Sequence, residues 1–330
     1  MSGDLPRQRV PLGRMGLAVS RVGLGCSALG GVYGAVAEDE AIATVHAALE
    51  AGINLFDTAP AYGSTRSERV LGKALRGLPR DAFVVSTKAG KLTSEDGRDS
   101  FDYSEAAIRR SVDESRERLG LERLDVVHLH DFDYEDGRHL EQALAEGLPT
   151  LRALQAEGVV GAVGAGIYFM AAWKRLLTRA EIDVALLHNH HTLLDVRAYE
   201  LLPLFEAKGV GVINAAPLAS GLLTGGPPPA WHPVPADARR FLARATIRAE
   251  ELGTSLPRLA LQFGVSEPRL PVTVFSVRSR AELAQALSWV AEPFDPDVVA
   301  EVQAELEPLM NVQWAYGGTD PANAFASEGC

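Results

Sequence analysis

Four side chains that can take part in proton transfer come at or directly after the ends of short apolar runs. Asp57 and Tyr62 follow the first of these runs, Lys88 the second and His130 the third. A phenol titrates at about pH 10 and exchanges protons poorly at neutral pH, but a neighbouring ammonium stabilises its anion. A carboxylate keeps a buried amine paired, and an imidazole can orient a substrate oxygen. The set therefore predicts acid–base chemistry on a carbonyl or alcohol oxygen.

The elements that position these side chains alternate between strand and helix. Eight short apolar runs are typical of strands buried on both faces of a parallel sheet. They occupy residues 21–25, 53–56, 83–86, 124–129, 159–163, 183–187, 210–213 and 272–275. Apolar residues at helical spacing lie between them, at 38–50, 104–119, 140–157, 198–208 and 281–290. Eight such units predict an α/β fold, a closed (β/α)8 TIM barrel, with an open Rossmann-like sheet of six strands as the alternative.

Three segments stand outside this repeat. Residues 8–22 predict a β-hairpin around a Gly-Arg-Met-Gly turn, and 221–236 is a loop rich in glycine and proline. Residues 311–330 form a polar tail after a last helix at 296–309. Since no linker or low-complexity block divides the chain, we expect one domain over residues 1–330.

The composition of the 330 residues excludes several classes of protein. Hydrophobic residues make up 47% and charged residues 23%, unlike disordered, collagenous or coiled-coil chains. A net charge of −11 disfavours nucleic acid and anionic membranes as partners. We expect no membrane-spanning helix and no secretory signal. With only Cys26 and Cys330 as cysteines, we expect a reducing, cytoplasmic location.

One stretch of the chain resembles a known family. Residues 52–63 are Gly-Ile-Asn-Leu-Phe-Asp-Thr-Ala-Pro-Ala-Tyr-Gly, and with Ser67-Glu68 and the Leu-Gly-Lys-Ala-Leu of 71–75 they resemble the signature of the aldo-keto reductases. The resemblance implies a (β/α)8 barrel with an amino-terminal hairpin, NAD(P)(H) bound in extended form, and hydride exchange with a carbonyl or alcohol. The family's catalytic tetrad falls on Asp57, Tyr62, Lys88 and His130.

The same resemblance implies contacts to the cofactor. Ser220, Gly221 and Leu223 match the family loop that covers the pyrophosphate. Arg278 falls where a guanidinium meets the adenosine 2′-phosphate, and Gln285 where a polar side chain meets the adenine. We therefore expect NADP or NAD as the cofactor, with NADP slightly favoured.

Three further cofactor contacts are less typical of the family. Gly25 ends the first barrel strand, whereas Gly164 and His188 stand where the family often has Ser-Asn and an amide. These departures, with the His-Asp-Phe-Asp of 130–133 and the Thr-Leu-Leu-Asp of 192–195, resemble one branch of the family. That branch contains D-threo-aldose 1-dehydrogenases, L-fucose and L-galactose dehydrogenases and pyridoxal 4-dehydrogenase. Its members oxidise a cyclic hemiacetal at its anomeric carbon to a lactone.

The branch implies a small sugar or aldehyde as the substrate. The aromatic candidates for lining a sugar pocket are Tyr33, Trp231, Trp314 and Tyr316. An aldose 1-dehydrogenase is the preferred function, acting as a monomer or small homo-oligomer. A general aldehyde or ketone reductase and a pyridoxal dehydrogenase are the alternatives within the enzymes. A channel-regulatory, β-subunit-like binding protein is the alternative outside them.

Two other motifs favour different interpretations. Residues 23–28 satisfy the dinucleotide-binding pattern G-x-G-x-x-[GA], but the glycine-rich 29–34 that follow are unsuited to the first turns of a helix. His188 and His190 share one face of a strand, as metal ligands can, but the sequence offers no third ligand of matching spacing. We therefore expect no metal.

Overall fold

The computed structural model of the chain describes residues 4–319. Its strands are β1 Arg9–Leu12, β2 Leu17–Ser20, β3 Val22–Gly25, β4 Leu55–Asp57, β5 Val84–Ala89, β6 Lys91–Thr93, β7 Asp99–Phe101, β8 Leu124–His130, β9 Val160–Ile167, β10 Val184–His188, β11 Gly211–Ala215 and β12 Val272–Ser276. Its helices are α1 Glu38–Ala51, α2 Arg66–Leu75, α3 Glu105–Leu119, α4 Leu140–Gln142, α5 Leu148–Ala156, α6 Met170–Arg179, α7 Ala198–Lys208, α8 Arg239–Glu251, α9 Leu256–Gly264, α10 Arg280–Val290 and α11 Pro296–Leu306.

Eight parallel strands close into a barrel in the order β3, β4, β5, β8, β9, β10, β11 and β12. The last strand pairs with the first, with Thr273 opposite Val22 and Ser276 opposite Gly25. Helices follow the strands, as right-handed crossovers between parallel neighbours require. The predicted (β/α)8 barrel is therefore confirmed, and the open six-stranded sheet is excluded.

The amino-terminal hairpin packs against one end of the barrel. β1 and β2 pair antiparallel, and their Leu12 and Val19 are fully buried in one cluster with residues of the barrel strands. The turn between them needs glycine, because Gly13 has a φ of +61° and a Cβ there would lie 2.5 Å from the backbone nitrogen of Gly211. The hairpin packs at the amino-terminal ends of the strands, and a barrel's active site is built at the opposite end.

The structure departs from the sequence-based expectations in the connections. The strand pair β6–β7 and the helices α2, α6, α8 and α9 are present but were not predicted. The predicted helix 140–157 is present as α4 and α5, joined by a π-helical turn at Ala143–Gly147. Within 221–236 there is no helix or strand beyond the end of the short turn Ala219–Gly221, as predicted.

The ends of the chain bear on two expectations. The predicted tail 311–330 is described only to residue 319, where it contains a 3-10 turn at Tyr316–Gly318, and Cys330 lies outside the described residues. The single domain over 1–330 stays a prediction. Across 4–319, no helix combines the length and the apolar character needed to cross a membrane.

Candidate active site

The carboxyl ends of the barrel strands open on a cavity of about 1500 Å³. Asp57 ends β4, Lys88 lies near the end of β5 and His130 ends β8, while Tyr62 lies in the loop after β4. All four side chains line this cavity. The parallel register brings them together, since strands that run the same way end on the same face of the barrel. The structure thus places the four predicted residues in one site.

Lys88 is held by a buried ion pair. Its Nζ lies 2.7 Å from Asp57 Oδ1 and donates a second hydrogen bond of 2.7 Å to the carbonyl oxygen of Thr58. The other oxygen of Asp57 accepts a 2.8 Å hydrogen bond from Ser86 Oγ. Only 1% of the Lys88 side chain is exposed. A buried ion pair needs such complete hydrogen bonding to be tolerated, so the amine is rigidly placed.

Tyr62 stands between this pair and His130. Lys88 Nζ lies 4.8 Å from the centre of the Tyr62 ring, and the Tyr62 and His130 rings are 6.1 Å apart at an angle of 87°. Loss of water around the phenol, together with the Asp57 and Asp131 carboxylates, raises the pKa of Tyr62 well above its usual value, against an opposing effect of Lys91. The net effect is opposite to the simple expectation that a neighbouring amine lowers this pKa.

His130 is a neutral imidazole. Burial, with smaller contributions from the charges of Lys88 and Lys91 and against the opposing effect of Asp131, lowers its pKa to about 3. At neutral pH one ring nitrogen therefore carries a proton and the other a lone pair. Its Nδ1 is buried and has no hydrogen-bond partner within residues 4–319. The Tyr103 hydroxyl donates a 2.5 Å hydrogen bond to the His130 carbonyl oxygen and so anchors the end of β8. The imidazole can thus hydrogen-bond a substrate oxygen without adding charge.

Five of the predicted cofactor residues line this cavity and carry groups that can form hydrogen bonds or that shape its wall. The hydroxyl of Ser220, which lies 3.2 Å from His188 Nε2, accepts a 2.9 Å hydrogen bond from the side chain of Asn189. Gly221, with a φ of +97°, adds a backbone that only glycine adopts without strain. Arg278 and Gln285 add a cation and an amide to the same cavity. A hydroxyl, a cation and an amide are the kinds of group that can bind the phosphates and the adenosine of a nicotinamide dinucleotide.

The remaining predicted residues divide into two groups. Gly25, Tyr33, Trp231 and Tyr316 line the cavity, whereas Gly164, Leu223 and Trp314 do not. Gly164 packs inside the barrel wall, where a Cβ would lie 2.2 Å from His128 Nδ1. Leu223 is fully buried in an apolar cluster beside the barrel, and the backbone of Trp314 donates to the Tyr168 hydroxyl. We leave these three out of the proposed site, because their surroundings give them packing roles.

The guanidinium of Arg278 already has a partner. Its Nη2 and Nε lie 2.7 Å and 3.0 Å from Glu282 Oε1, and the Arg278 backbone N–H donates to Glu282 Oε2 at 2.8 Å. Glu282 is one helical turn further along the chain, at the start of α10, and lines the same cavity. Arg278, which was expected to bind a phosphate, is therefore already paired with the Glu282 carboxylate, which lines the same cavity.

The histidines considered for metal binding contact protein groups instead. His190 hydrogen-bonds Asp195 through Nδ1 and the Tyr168 carbonyl oxygen through Nε2. His188 Nε2 lies 3.2 Å from the hydroxyl oxygen of Ser220. Within the described part of the chain, no group of three or more His, Cys, Asp or Glu side chains is arranged to hold a metal ion.

Two charged residues of the cavity were not predicted as site residues from the sequence. Lys91 and Asp131 line it beside the four predicted residues, with their charged groups 2.9 Å apart. The available signals were their positions, three residues after Lys88 and directly after His130. A lysine three residues along an extended chain does not share the face of Lys88, and only the turn at Gly90, with a φ of +97°, brings Lys91 back to the cavity.

The fold and this site define an oxidoreductase that uses a nicotinamide cofactor. The model of the Aldo/keto reductase family matches residues 21–307, and the chain belongs to that family. It is an NAD(P)-dependent enzyme acting on CH–OH or carbonyl groups.

The similarity to known proteins of this family extends over almost the whole chain. The L-galactose dehydrogenase of Arabidopsis thaliana is 38% identical over 93% of this chain and 96% of its own length. The D-threo-aldose 1-dehydrogenase of a Pseudomonas species is 34% identical over 89% of this chain and 96% of its own. An aldo-keto reductase from Bacillus halodurans, solved in its holo form, superimposes with a TM-score of 0.74 at 27% identity, covering 94% of this chain and 99% of its own. The predicted family and branch are both supported by these similarities.

Proposed function

We propose that this protein is an aldose 1-dehydrogenase, which oxidises the anomeric carbon of a cyclic sugar to an aldonolactone. The observation that carries the proposal is the convergence of Asp57, Tyr62, Lys88 and His130 on one cavity. The similarity to an L-galactose dehydrogenase and a D-threo-aldose 1-dehydrogenase supports a sugar as the substrate. A cytoplasmic location and a monomer or small homo-oligomer belong to the same proposal.

The four catalytic side chains have separate roles in such an oxidation. When bound, the oxidised nicotinamide supplies the hydride acceptor and a positive charge. Tyr62 takes the proton of the anomeric hydroxyl onto its phenolic oxygen, and Lys88, held by Asp57, stabilises the phenolate. His130 hydrogen-bonds the same substrate oxygen and orients it. In the reverse direction Tyr62 returns its proton to the carbonyl oxygen.

The aromatic residues of the cavity give it an apolar wall. Tyr33 and Trp231 have ring centres 5.8 Å apart, and the hydroxyl of Tyr316 lies 2.6 Å from His232 Nε2. Each of the three lines the cavity. We propose that they pack against the C–H faces of the sugar, while the polar end of the site holds its oxygens.

We further propose that the enzyme prefers NAD+ to NADP+. The sequence alone favours NADP slightly because of Arg278, but its pairing with Glu282 weighs against that preference. A 2′-phosphate would have to compete with the Glu282 carboxylate for the guanidinium and would be repelled by it. A 2′-hydroxyl carries no charge and can accept a hydrogen bond from Arg278 or donate one to Glu282.

Glu282→Gln tests this preference. The change removes the competing charge while keeping the shape of the side chain, and we expect kcat/KM for NADP+ to rise about five- to tenfold, since exposed charge pairs contribute about 1 kcal/mol. The value for NAD+ should stay within a factor of about two. Glu292→Gln is the control, because Glu292 also pairs with an arginine, Arg258, but does not line the cavity. Equal changes for both cofactors would contradict the role of Glu282.

A substrate panel tests the proposed function itself. Aldoses of both enantiomeric series are offered with NAD+ and NADP+, reduced nicotinamide is followed by absorbance, and the lactone is trapped with hydroxylamine. We expect lactone and reduced cofactor in equal amounts for at least one aldose. Turnover of simple aldehydes or pyridoxal alone would favour the alternative enzymes. Nicotinamide binding with no turnover of any of them would favour a regulatory binding protein.

A further inference from the structure

The cavity carries a charged pair that the proposed reaction does not use. Lys91 begins β6, and Asp131 directly follows His130 at the end of β8. Lys91 Nζ lies 2.9 Å from Asp131 Oδ2 and 2.9 Å from Asp99 Oδ2. Both Lys91 and Asp131 line the cavity, yet only 11% of each side chain is exposed. Burying two charges this deeply costs desolvation free energy. We therefore expect this pair beside the reacting groups to have a function.

Asp131 is held in a conformation that non-glycine residues rarely adopt. Its φ is +50°, in the left-handed region, and backbone hydrogen bonds maintain it there. The Asp131 N–H donates to the carbonyl oxygen of Gly166 at 2.9 Å, and the Asp131 carbonyl accepts from the N–H of Tyr134 at 3.1 Å. The carboxylate is therefore placed by the fold of the loop and by Lys91.

One oxygen of this carboxylate is left for a ligand. Within residues 4–319, the hydrogen bond that Asp131 accepts on its side chain ends on Oδ2, which receives Lys91 Nζ. The ammonium of Lys91 is in turn enclosed by Asp99 and by the Tyr134 ring, whose centre lies 4.8 Å away. Lys91 thus positions the carboxylate, while Asp131 Oδ1 can accept a hydrogen bond from a molecule in the cavity.

The distance to His130 indicates which part of a substrate this oxygen meets. Asp131 Oδ2 lies 3.5 Å from His130 Nε2, so an oxygen bound by His130 is next to the carboxylate. Oxygens on adjacent carbons of a sugar are separated by about the donor–acceptor distance of an O–H···O hydrogen bond, which is about 2.5–3.0 Å. When His130 and Tyr62 hold the reacting oxygen, the hydroxyl on the neighbouring carbon is the group within reach of Asp131.

We propose that Asp131, positioned by Lys91, binds the hydroxyl group on the carbon adjacent to the reacting carbon. The site then selects aldoses and other α-hydroxy carbonyl compounds over plain aldehydes. This inference rests on the proposed function for its choice of reacting atoms. Its chemistry applies in both directions of the reaction, because the adjacent hydroxyl is neither oxidised nor reduced.

A pair of aldehydes that differ only in this hydroxyl tests the proposal. Lactaldehyde and propanal are reduced with NADH or NADPH, and we expect wild-type kcat/KM to be about ten- to a hundredfold higher for lactaldehyde, the range for a hydrogen bond to a charged group. Asp131→Ala should abolish that preference, so that kcat/KM for lactaldehyde falls to the value that the same variant shows for propanal. Lys91→Met should weaken the preference, because the carboxylate loses the group that positions it.

The control removes a carboxylate from the same connection. Asp96 lies in the turn between β6 and β7, pairs with Arg98 and is exposed, and it does not line the cavity. Asp96→Asn should therefore keep both the rate and the preference for lactaldehyde. Circular dichroism and thermal unfolding check that each variant is folded. The comparison of the two aldehydes on the wild type needs no variant, so the absence of a preference overturns the inference even if Asp131→Ala does not fold.

Two results would overturn the inference. The first is a wild type that reduces both aldehydes equally well. The second is an Asp131→Ala variant that keeps the preference, whether or not it loses the same factor on both aldehydes, since Asp131 would then act through Tyr62 and His130 rather than on the substrate. Oxidation of aldoses and their 2-deoxy analogues separates this inference from the proposed function. If no aldose is oxidised but the lactaldehyde preference depends on Asp131, the inference stands and the aldose function fails. If aldoses with and without the 2-hydroxyl are oxidised equally, the reverse holds.

Discussion

Tyr62→Phe is expected to lower kcat by about 10²–10⁴-fold in both directions while the affinity for the cofactor stays nearly unchanged. The phenylalanine ring keeps the packing of the tyrosine, whose ring centre lies 4.8 Å from Lys88 Nζ and 6.1 Å from that of His130. The change deletes only the oxygen that exchanges the proton. Steady-state kinetics with an aldehyde or an aldose, together with titration of the cofactor by protein fluorescence, measures both quantities.

Tyr199→Phe is the matched control for this variant. Tyr199 lies on α7 with 41% of the residue exposed and does not line the described cavity, so the loss of its hydroxyl should not change kcat. A Tyr62→Phe enzyme that keeps more than about a tenth of the wild-type rate would remove Tyr62 from the acid–base role. A matching fall in cofactor affinity would instead indicate that the phenol helps to hold the nicotinamide.

The barrel and the four converging side chains were predictable because both depend on local patterns. The apolar runs at 53–56 and 124–129 have the length of buried strands, and a polar residue directly after such a strand must lie at one end of the barrel. The structure shifts the strand bounds by a few residues, so that β4 is Leu55–Asp57 and β8 is Leu124–His130. Neither shift moves Asp57 or His130 to the other end.

The contacts between distant residues were not predictable in the same way. Lys91 meets Asp131 only because Gly90 turns the chain and β5 pairs with β8, and neither fact can be read from residues 88–91. The Arg278–Glu282 pair is different, because its spacing of four residues on a helix start was visible in the sequence. Arg278 was expected to meet a phosphate, and Glu282 was not considered as its partner. Helices α8 and α9 lie between the predicted loop 221–236 and the predicted strand 272–275, in a stretch for which no element was predicted.

Lys88→Met is expected to move the pH dependence of sugar oxidation to higher pH by about one unit or more, since an opposite charge nearby shifts a pKa by roughly 1–3 units. Oxidation needs the Tyr62 phenolate, so its rate rises as pH passes through the pKa of that group. Without the ammonium, the buried Asp57 carboxylate 2.7 Å from its position is left unpaired. The carboxylate then raises the pKa of Tyr62 further, because Asp57 already raises it in the intact site.

The double variant Lys88→Met/Asp57→Asn separates the loss of the cation from the exposure of the carboxylate. It removes both charges, so the pKa of Tyr62 should lie below that of Lys88→Met, and the rising limb of the oxidation profile should lie at lower pH than in Lys88→Met. Carbonyl reduction needs the protonated phenol, and its falling limb should therefore move to higher pH in the same order. If the limb does not move in Lys88→Met, the titrating group is not under the influence of Lys88. If the double variant lies above Lys88→Met, the Asp57 carboxylate does not raise the pKa of Tyr62, and the ion pair serves only to hold the strands β4 and β5 in register.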